Sequence, residues 1–207
     1  GMACTPPLAV SYELVRQFHG QDPRFTLFSL GLTTAYSLLV HAGLLRKITT
    51  TFLGDSYPSP GPNPVFQNAL RGGAVDIQHW SLLAMVQRLK AGAMGVGALP
   101  TKSILGSSME KDNLDAFAVV EDPFRKGEKL GMVRAINADL SFYHALAADP
   151  QGNSLFVPPY AENLYGALGS RQGVIVTAEK IVSTDFLRAN AGYVRLPGYR
   201  VLAVCEV

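Results

Sequence analysis

Cysteine is scarce. The two that occur, Cys4 and Cys205, stand near opposite ends of the 207 residues. They form neither a disulfide framework nor a metal-ligand spacing, which favours a reducing, cytosolic setting. Charge is also scarce: 16% of residues carry it, as 18 Lys+Arg against 16 Asp+Glu. Without a basic block the chain lacks the electrostatic footprint of a nucleic-acid binder. No Walker loop, dinucleotide glycine fingerprint or Gly-x-Ser-x-Gly elbow is present. The glycines from Gly92 to Gly97 follow a helical pattern rather than a strand, so they read as tight packing. The four histidines, His19, His41, His79 and His144, are too scattered for a metal set. No cationic start, apolar core and small-residue cleavage site marks a signal peptide. What is abundant is apolar surface, 48% of residues, enough for a sizeable core in one domain over 1–207.

Residues 25–45 contain no Asp, Glu, Lys or Arg. That length could span a bilayer. It is broken by Ser29, Gly31, Thr33, Thr34, Ser37, His41 and Gly43, and reads as a buried strand, turn and helix. A first helix is expected from Leu8, with Thr5 as its cap and Pro6-Pro7 following. Thr33 or Thr34 is expected to cap the second helix. Strands are expected over 25–30, 47–53, 75–78, 96–99, 117–120, 132–136, 140–145, 174–177 and 201–204. Helices are expected over 65–71, 81–90 and 160–168, and in part over 179–187. In the 81–90 helix the spacing puts Leu82, Leu83, Val86 and Leu89 on the buried face. The charged residues 125–129 read as a solvated turn.

Strands alternating with helices, several of them apolar on both faces, predict an α/β fold with an open, mainly parallel sheet and helices on both faces. In such a fold the site lies outside the carboxyl ends of the strands. Two stretches stand out there. Gln78-His79-Trp80-Ser81 sets three polar side chains at a strand-to-helix junction, with Ser81 a cap that can also face a ligand. Thr101-Lys102-Ser103, with Gly106-Ser107-Ser108, places a cation and hydroxyls in another loop. His144, inside an apolar strand, reads as a core histidine with its hydrogen bonds satisfied.

Several stretches in order resemble the A (alpha) subunit of family I coenzyme A transferases, most of all the glutaconate type and the related steroid ring-cleaving acyl-CoA hydrolase. Val40-His41-Ala42-Gly43-Leu44-Leu45-Arg46-Lys47 is like that family's GAGLVRK. Leu89-Lys90-Ala91-Gly92-Ala93-Met94-Gly95, with Leu99-Pro100-Thr101-Lys102-Ser103, is like AGAMG followed by LPTRS. Asp139-Leu140-Ser141-Phe142-Tyr143-His144-Ala145, with Asp149-Pro150-Gln151-Gly152-Asn153, matches a further motif, and Val174-Ile175-Val176-Thr177-Ala178-Glu179-Lys180-Ile181-Val182 resembles IVTVEEIV.

The resemblance implies an open α/β fold like that of phosphosugar isomerases, a cytoplasmic setting and pairing with a B (beta) subunit in a heterodimer or larger heteromer. It implies an acyl-CoA and a carboxylic acid as substrates, with coenzyme A held as a thioester substrate and no bound cofactor, metal, membrane or nucleic acid. The nucleophilic glutamate would lie on the B subunit. This chain would offer Thr5, Gly31, Thr33, Gln78, Ser81, Lys102 and Ser103 to substrate or coenzyme A, with His79 as a candidate base. Relatives begin with an additional helix, strand and glycine-rich loop, so the chain is expected to be short at its N-terminus. They carry Glu-Glu near the position of Gln78-His79, and arginine where Lys102 stands. Acyl-CoA hydrolysis or ring opening, or a non-catalytic acyl-CoA-binding module, are the alternatives.

Overall fold

The computed structural model describes residues 6–55 and 60–207. Helix α1 (Leu8–Phe18) starts after Pro7; Thr5, its expected cap, lies outside the described residues. Strand β1 (Phe25–Phe28) leads through Ser29-Leu30 to β2 (Gly31–Leu32) and α2 (Thr34–His41). The apolar stretch at 25–45 is therefore strand, turn and helix, and among the described residues no helix is long and apolar enough to cross a membrane. Thr33 makes no side-chain cap bond. Instead Thr34 donates from both its backbone N–H and its hydroxyl to Asp55 Oδ1, each at 2.8 Å. Gly43, at φ 71°, reverses the chain into β3 (Leu45–Thr50), which is followed by β4 (Phe52–Leu53). Asn63 caps α3 (Pro64–Arg71), and β5 (Asp76–His79) completes a parallel sheet in the order β1-β3-β5. The α-helices bury Leu39 and Phe66 against Leu44, Ile48 and Val75 of this sheet layer.

Ser81 caps α4 (Leu82–Ala93) through its hydroxyl, which accepts from Ala84 N–H. The expected buried face is corrected here. Leu82 and Leu83 are about half exposed, whereas Ala84, Met85, Arg88, Leu89, Ala91 and Gly92 are buried. Small residues on that stripe let the helix approach its neighbours closely, so backbone proximity outweighs the leucine spacing. The closest approach is at Gly92: a Cβ there would stand 2.1 Å from Ile136 O. Asn137 Nδ2 donates to Gly92 O and Gly169 O, at 3.2 and 2.8 Å, and so ties together two helix ends.

An antiparallel unit comes next. Strand β6 (Ala98–Thr101) and helix α5 (Ser108–Asp112) precede β7 (Phe117–Glu121) and β8 (Lys129–Arg134), in the sheet order β6-β8-β7. The strand expected over 132–136 lies earlier, and the charged residues are the turn of the hairpin, where Asp122 N–H donates to Glu128 O.

The second parallel sheet has the order β13-β11-β9. The chain here runs β9 (Leu140–Ala145), β10 (Ser154–Leu155), α6 (Glu162–Leu168), β11 (Gly173–Ala178), α7 (Thr184–Ala189), β12 (Val194–Leu196) and β13 (Val201–Glu206), with β10 and β12 forming a separate antiparallel pair. Strand β11 is central and buried on both faces, which explains its continuous apolar run. Tyr143 stacks on Phe156 at 3.7 Å between centroids. The class is α/β with mainly parallel pairing, as the sequence predicts; the parallel ladders are divided between two three-stranded sheets and the β2-β4 pair.

Candidate functional site

The carboxyl ends of β1, β3 and β5 converge on a network built around Leu30. Its N–H donates to Glu162 Oε2, from a residue 132 positions later on α6. Its carbonyl accepts from Thr51 Oγ1 at 2.6 Å and from the backbone of Thr51 and Phe52 at 3.2 Å. Burial pushes the Glu162 carboxyl up to about 7, against the opposing pull of the Leu30 N–H. Burial, then the charge of Glu162, raises the Tyr36 phenol to about 12.

The neighbouring strand end is held just as closely. Trp80 N–H donates to Thr50 O at 2.9 Å, and Asn113 Nδ2 donates to His79 O at 3.0 Å. Gln78 donates to Asp115 Oδ1 at 2.9 Å and accepts from Thr49 at 3.4 Å. Ser81 Oγ lies 2.5 Å from Ser103 Oγ. Ser103 N–H in turn donates to Thr101 Oγ1 at 3.0 Å, in a turn where Ile104 adopts a left-handed φ of 62°. The exposed His79 imidazole has no hydrogen-bond or ion-pair partner among the described residues. It lines a cavity of about 480 Å³ together with Gln78, Lys47, Asp112, Leu114 and Asp115.

Of the residues singled out in the sequence, the structure brings Gln78, His79, Ser81 and Ser103 into one group. Lys102 directs its ammonium to Glu128, at 2.9 Å, on the exposed hairpin side. Gly31 is buried in β2, opposite Phe52, and Thr33 precedes α2 in extended backbone. Thr5 lies outside the described residues. Sequence reasoning missed Glu162, Asn113 and Asp115, which reach this region only through long-range contacts. It also missed Asp55. Burial works against ionisation there, but hydrogen bonds from Thr34 and Asn63 outweigh it and hold the carboxyl below its usual range. Arg88 did have a signal: a cation within an otherwise apolar helix stripe.

The carboxylates gathered at these strand ends are engaged: Asp55 by Thr34 and Asn63, Asp115 by Gln78, and Glu162 by Leu30. Asp112 borders the cavity from the last residue of α5, on its exposed rim. Beside the strand ends themselves stand an imidazole, an amide and paired hydroxyls. Such a surface can bind, orient and exchange protons. Fold and site together define an α/β protein whose polar face lies at parallel strand ends, with the carboxylates there held by internal hydrogen bonds.

The family description "Coenzyme A transferase" matches residues 1–206, and the chain belongs to that family. It is 31% identical over 204 residues, 97% of this chain and 69% of the relative, to the A subunit of the 3-oxoadipate CoA-transferase of Pseudomonas knackmussii. It is 29% identical over 157 residues, 72% of this chain and 52% of the relative, to the cholesterol ring-cleaving hydrolase IpdA subunit of Rhodococcus jostii. A protein of Archaeoglobus fulgidus matches at 28% identity over 200 residues, 95% of this chain, and the chain spans only 42% of that relative's length. The crystal structure of glutaconate coenzyme A-transferase from Acidaminococcus fermentans shares the fold, with a TM-score of 0.85 at 21% identity, covering 97% of this chain and 66% of that one.

Proposed function

We propose that the chain is the A-type component of a heteromeric coenzyme A transferase, moving coenzyme A between an acyl-CoA and a carboxylic acid in the cytoplasm. One observation carries this reading: within a coenzyme A transferase fold, the carboxylates Asp55, Asp115 and Glu162 at the strand ends are already held by internal hydrogen bonds, while the Gln78 amide and the His79 imidazole line the cavity and the Ser81–Ser103 hydroxyl pair follows in the next turn of chain. The nucleophile then comes from a B subunit, whose glutamate attacks the thioester. An acyl–glutamyl anhydride forms with release of thiolate; the thiolate attacks the glutamyl carbonyl, giving a glutamyl-CoA thioester and expelling the first acid as its carboxylate, and the incoming acid then runs the same steps in reverse, regenerating the glutamate. The chain acts as one domain over 1–207. Gln78, Ser81 and Ser103 supply its contacts to substrate, with Gly31, Thr33, Lys102 and Thr5 as further contributors. Coenzyme A is a substrate, and the chain needs no resident cofactor.

Mixing the chain with a B-type subunit tests this. Acyl exchange should appear only in the mixture, with a borohydride- or hydroxylamine-trappable thioester on the partner. Turnover by the chain alone, or an adduct on one of its own carboxylates, Asp112 included, would overturn the reading.

A second reading, acyl-CoA hydrolysis, is favoured by the unengaged His79 imidazole, which could deliver water to a thioester. It requires coenzyme A release without an acceptor acid, abolished by His79→Ala. A non-catalytic acyl-CoA-binding module would instead bind without turnover in any pairing.

A further inference from the structure

Arg88 is only 6% exposed, yet no carboxylate pairs with it among the described residues. Its guanidinium carbon lies 4.2 Å from the centroid of the Trp80 ring. Its Nε donates to Arg134 O at 2.9 Å, and its own carbonyl accepts from Ile136 N–H at 3.0 Å. The residue is thus fixed at both ends to the segment leaving β8. Its Nη1 and the Trp80 Nε1 are buried without partners among the described residues. Burial pulls the guanidinium down to about 10; the charge of Asp115 opposes this and that of Arg134 adds to it.

An unpaired buried cation is unfavourable, and a methionine would fill a similar volume without desolvating a charge. The arginine therefore has to be explained by something a methionine cannot do. A flat, delocalised cation stacks on an indole and keeps its in-plane donors, which an ammonium cannot.

Trp80 is the middle of the junction. Gln78 is held by Asp115, the His79 carbonyl by Asn113, the Trp80 backbone by Thr50, and Ser81 by Ser103. In a segment clamped at each residue, one side chain, the His79 imidazole, is left free among the described residues. The Trp80 ring is buried in the core with Leu30, Met85, Ile104 and Phe117, and Arg88 is the one cation placed over its face among the described residues.

We propose that Arg88 is a positioning residue: its guanidinium plane, stacked on Trp80, holds segment 78–81 so that the His79 imidazole is presented at one fixed place on the cavity wall. The inference rests on the reading in which the His79 imidazole delivers water to a thioester, and adds to it the residue that sets its geometry.

Trp80 is the single tryptophan of the chain, so its emission reports on this junction alone. Arg88→Lys, which keeps the charge and loses the plane, and Arg88→Met are compared with the native full chain. Trp80 emission and acrylamide quenching are measured first. The ring-proton NMR signal of His79, assigned with His79→Ala, is followed beside those of His19 and His41. Acetyl-CoA kinetics are then measured in the complex with a B subunit.

Both variants are expected to increase Trp80 quenching about twofold and to shift or broaden the His79 signal, leaving His19 and His41 in place. Where His79 serves as the base, kcat for coenzyme A release is expected to fall about tenfold with KM little changed, as for a displaced reacting group. Native Trp80 emission and a native His79 signal in Arg88→Lys would overturn the proposal, leaving charge or packing as the residue's whole contribution. If Arg88→Met does not fold, Arg88→Lys decides alone. Absence of acyl exchange in the native complex would count against the transferase reading and would leave the two spectroscopic results to judge the positioning role.

Discussion

The two parallel sheets end in opposite ways. In the second sheet the polar groups at the strand ends satisfy one another. His144 Nδ1 meets Thr177 Oγ1 and its Nε2 meets Glu179 Oε1, both at 3.0 Å, as expected for a core histidine. The buried Asp149 that follows β9 accepts from Gln151 N–H, Asn153 N–H, Asn153 Nδ2 and Thr184 Oγ1. In the first sheet the backbone at the strand ends is equally well held, but the His79 imidazole is not engaged, and a cavity lies beside it. The same topology can close a strand end or open it. The difference lies in whether the histidine at the strand end finds an internal partner: among the described residues His144 does and His79 does not.

The strongest way to break the closed end is at Asp149. Asp149→Ala strands several buried donors at once, and chemical denaturation should register a loss of about 3 kcal/mol. Burial opposes ionisation of Asp149, but hydrogen bonds from Asn153, Thr184 and Gln151 outweigh it and hold its carboxyl below the usual range. Its stabilising effect is therefore present above the ordinary carboxylate range and is lost as pH falls through the lowered value. An Asp149→Asn chain should lack that acid-side loss.

Glu162 sharpens the contrast, since it titrates in the reverse sense. Its carboxyl is raised to about 7, so the folded state holds the proton longer than the unfolded chain does. Its contribution is complete below the ordinary glutamate value and fades as pH climbs through about 7. Melting curves taken at half-unit steps should show Glu162→Gln gaining on the native chain across that interval, by at most about 3 kcal/mol. A parallel pH dependence for the two chains would contradict the buried placement of Glu162.

The smallest effects come from the two histidines. His144→Ala should cost about 1 kcal/mol, because Thr177 and Glu179 lose their shared partner. His79→Ala should change stability by less than about 0.5 kcal/mol, since nothing among the described residues depends on its ring. Equal losses would erase the distinction between the two sheet ends.

Much of the architecture is legible in the amino-acid order. The continuous apolar run of β11 is a local signal, and the structure follows it. Leu82 and Leu83 of α4, unlike Leu89, do not face the core, because side-chain size does not reveal where a backbone must come close; Ala84, Ala91 and Gly92 carry that information. Site legibility divides the same way. Gln78, His79 and Ser81 are visible as a polar cluster between strand and helix. The pairing of Ser81 with Ser103 across 22 positions, and of Leu30 with Glu162 across 132, is not, because local patterning specifies which residues are buried and not which distant ones meet.

Gly92 has a consequence for any redesign of this molecule. With no room for even a methyl group between α4 and the carbonyl of Ile136, and with Asn137 bolting the same spot to Gly169, the helix behind the tryptophan cannot slide or swivel there. Domain closure, if an engineer wanted to graft it onto this scaffold, would have to bend elsewhere. Libraries that randomise position 92 should return almost nothing but the parent residue.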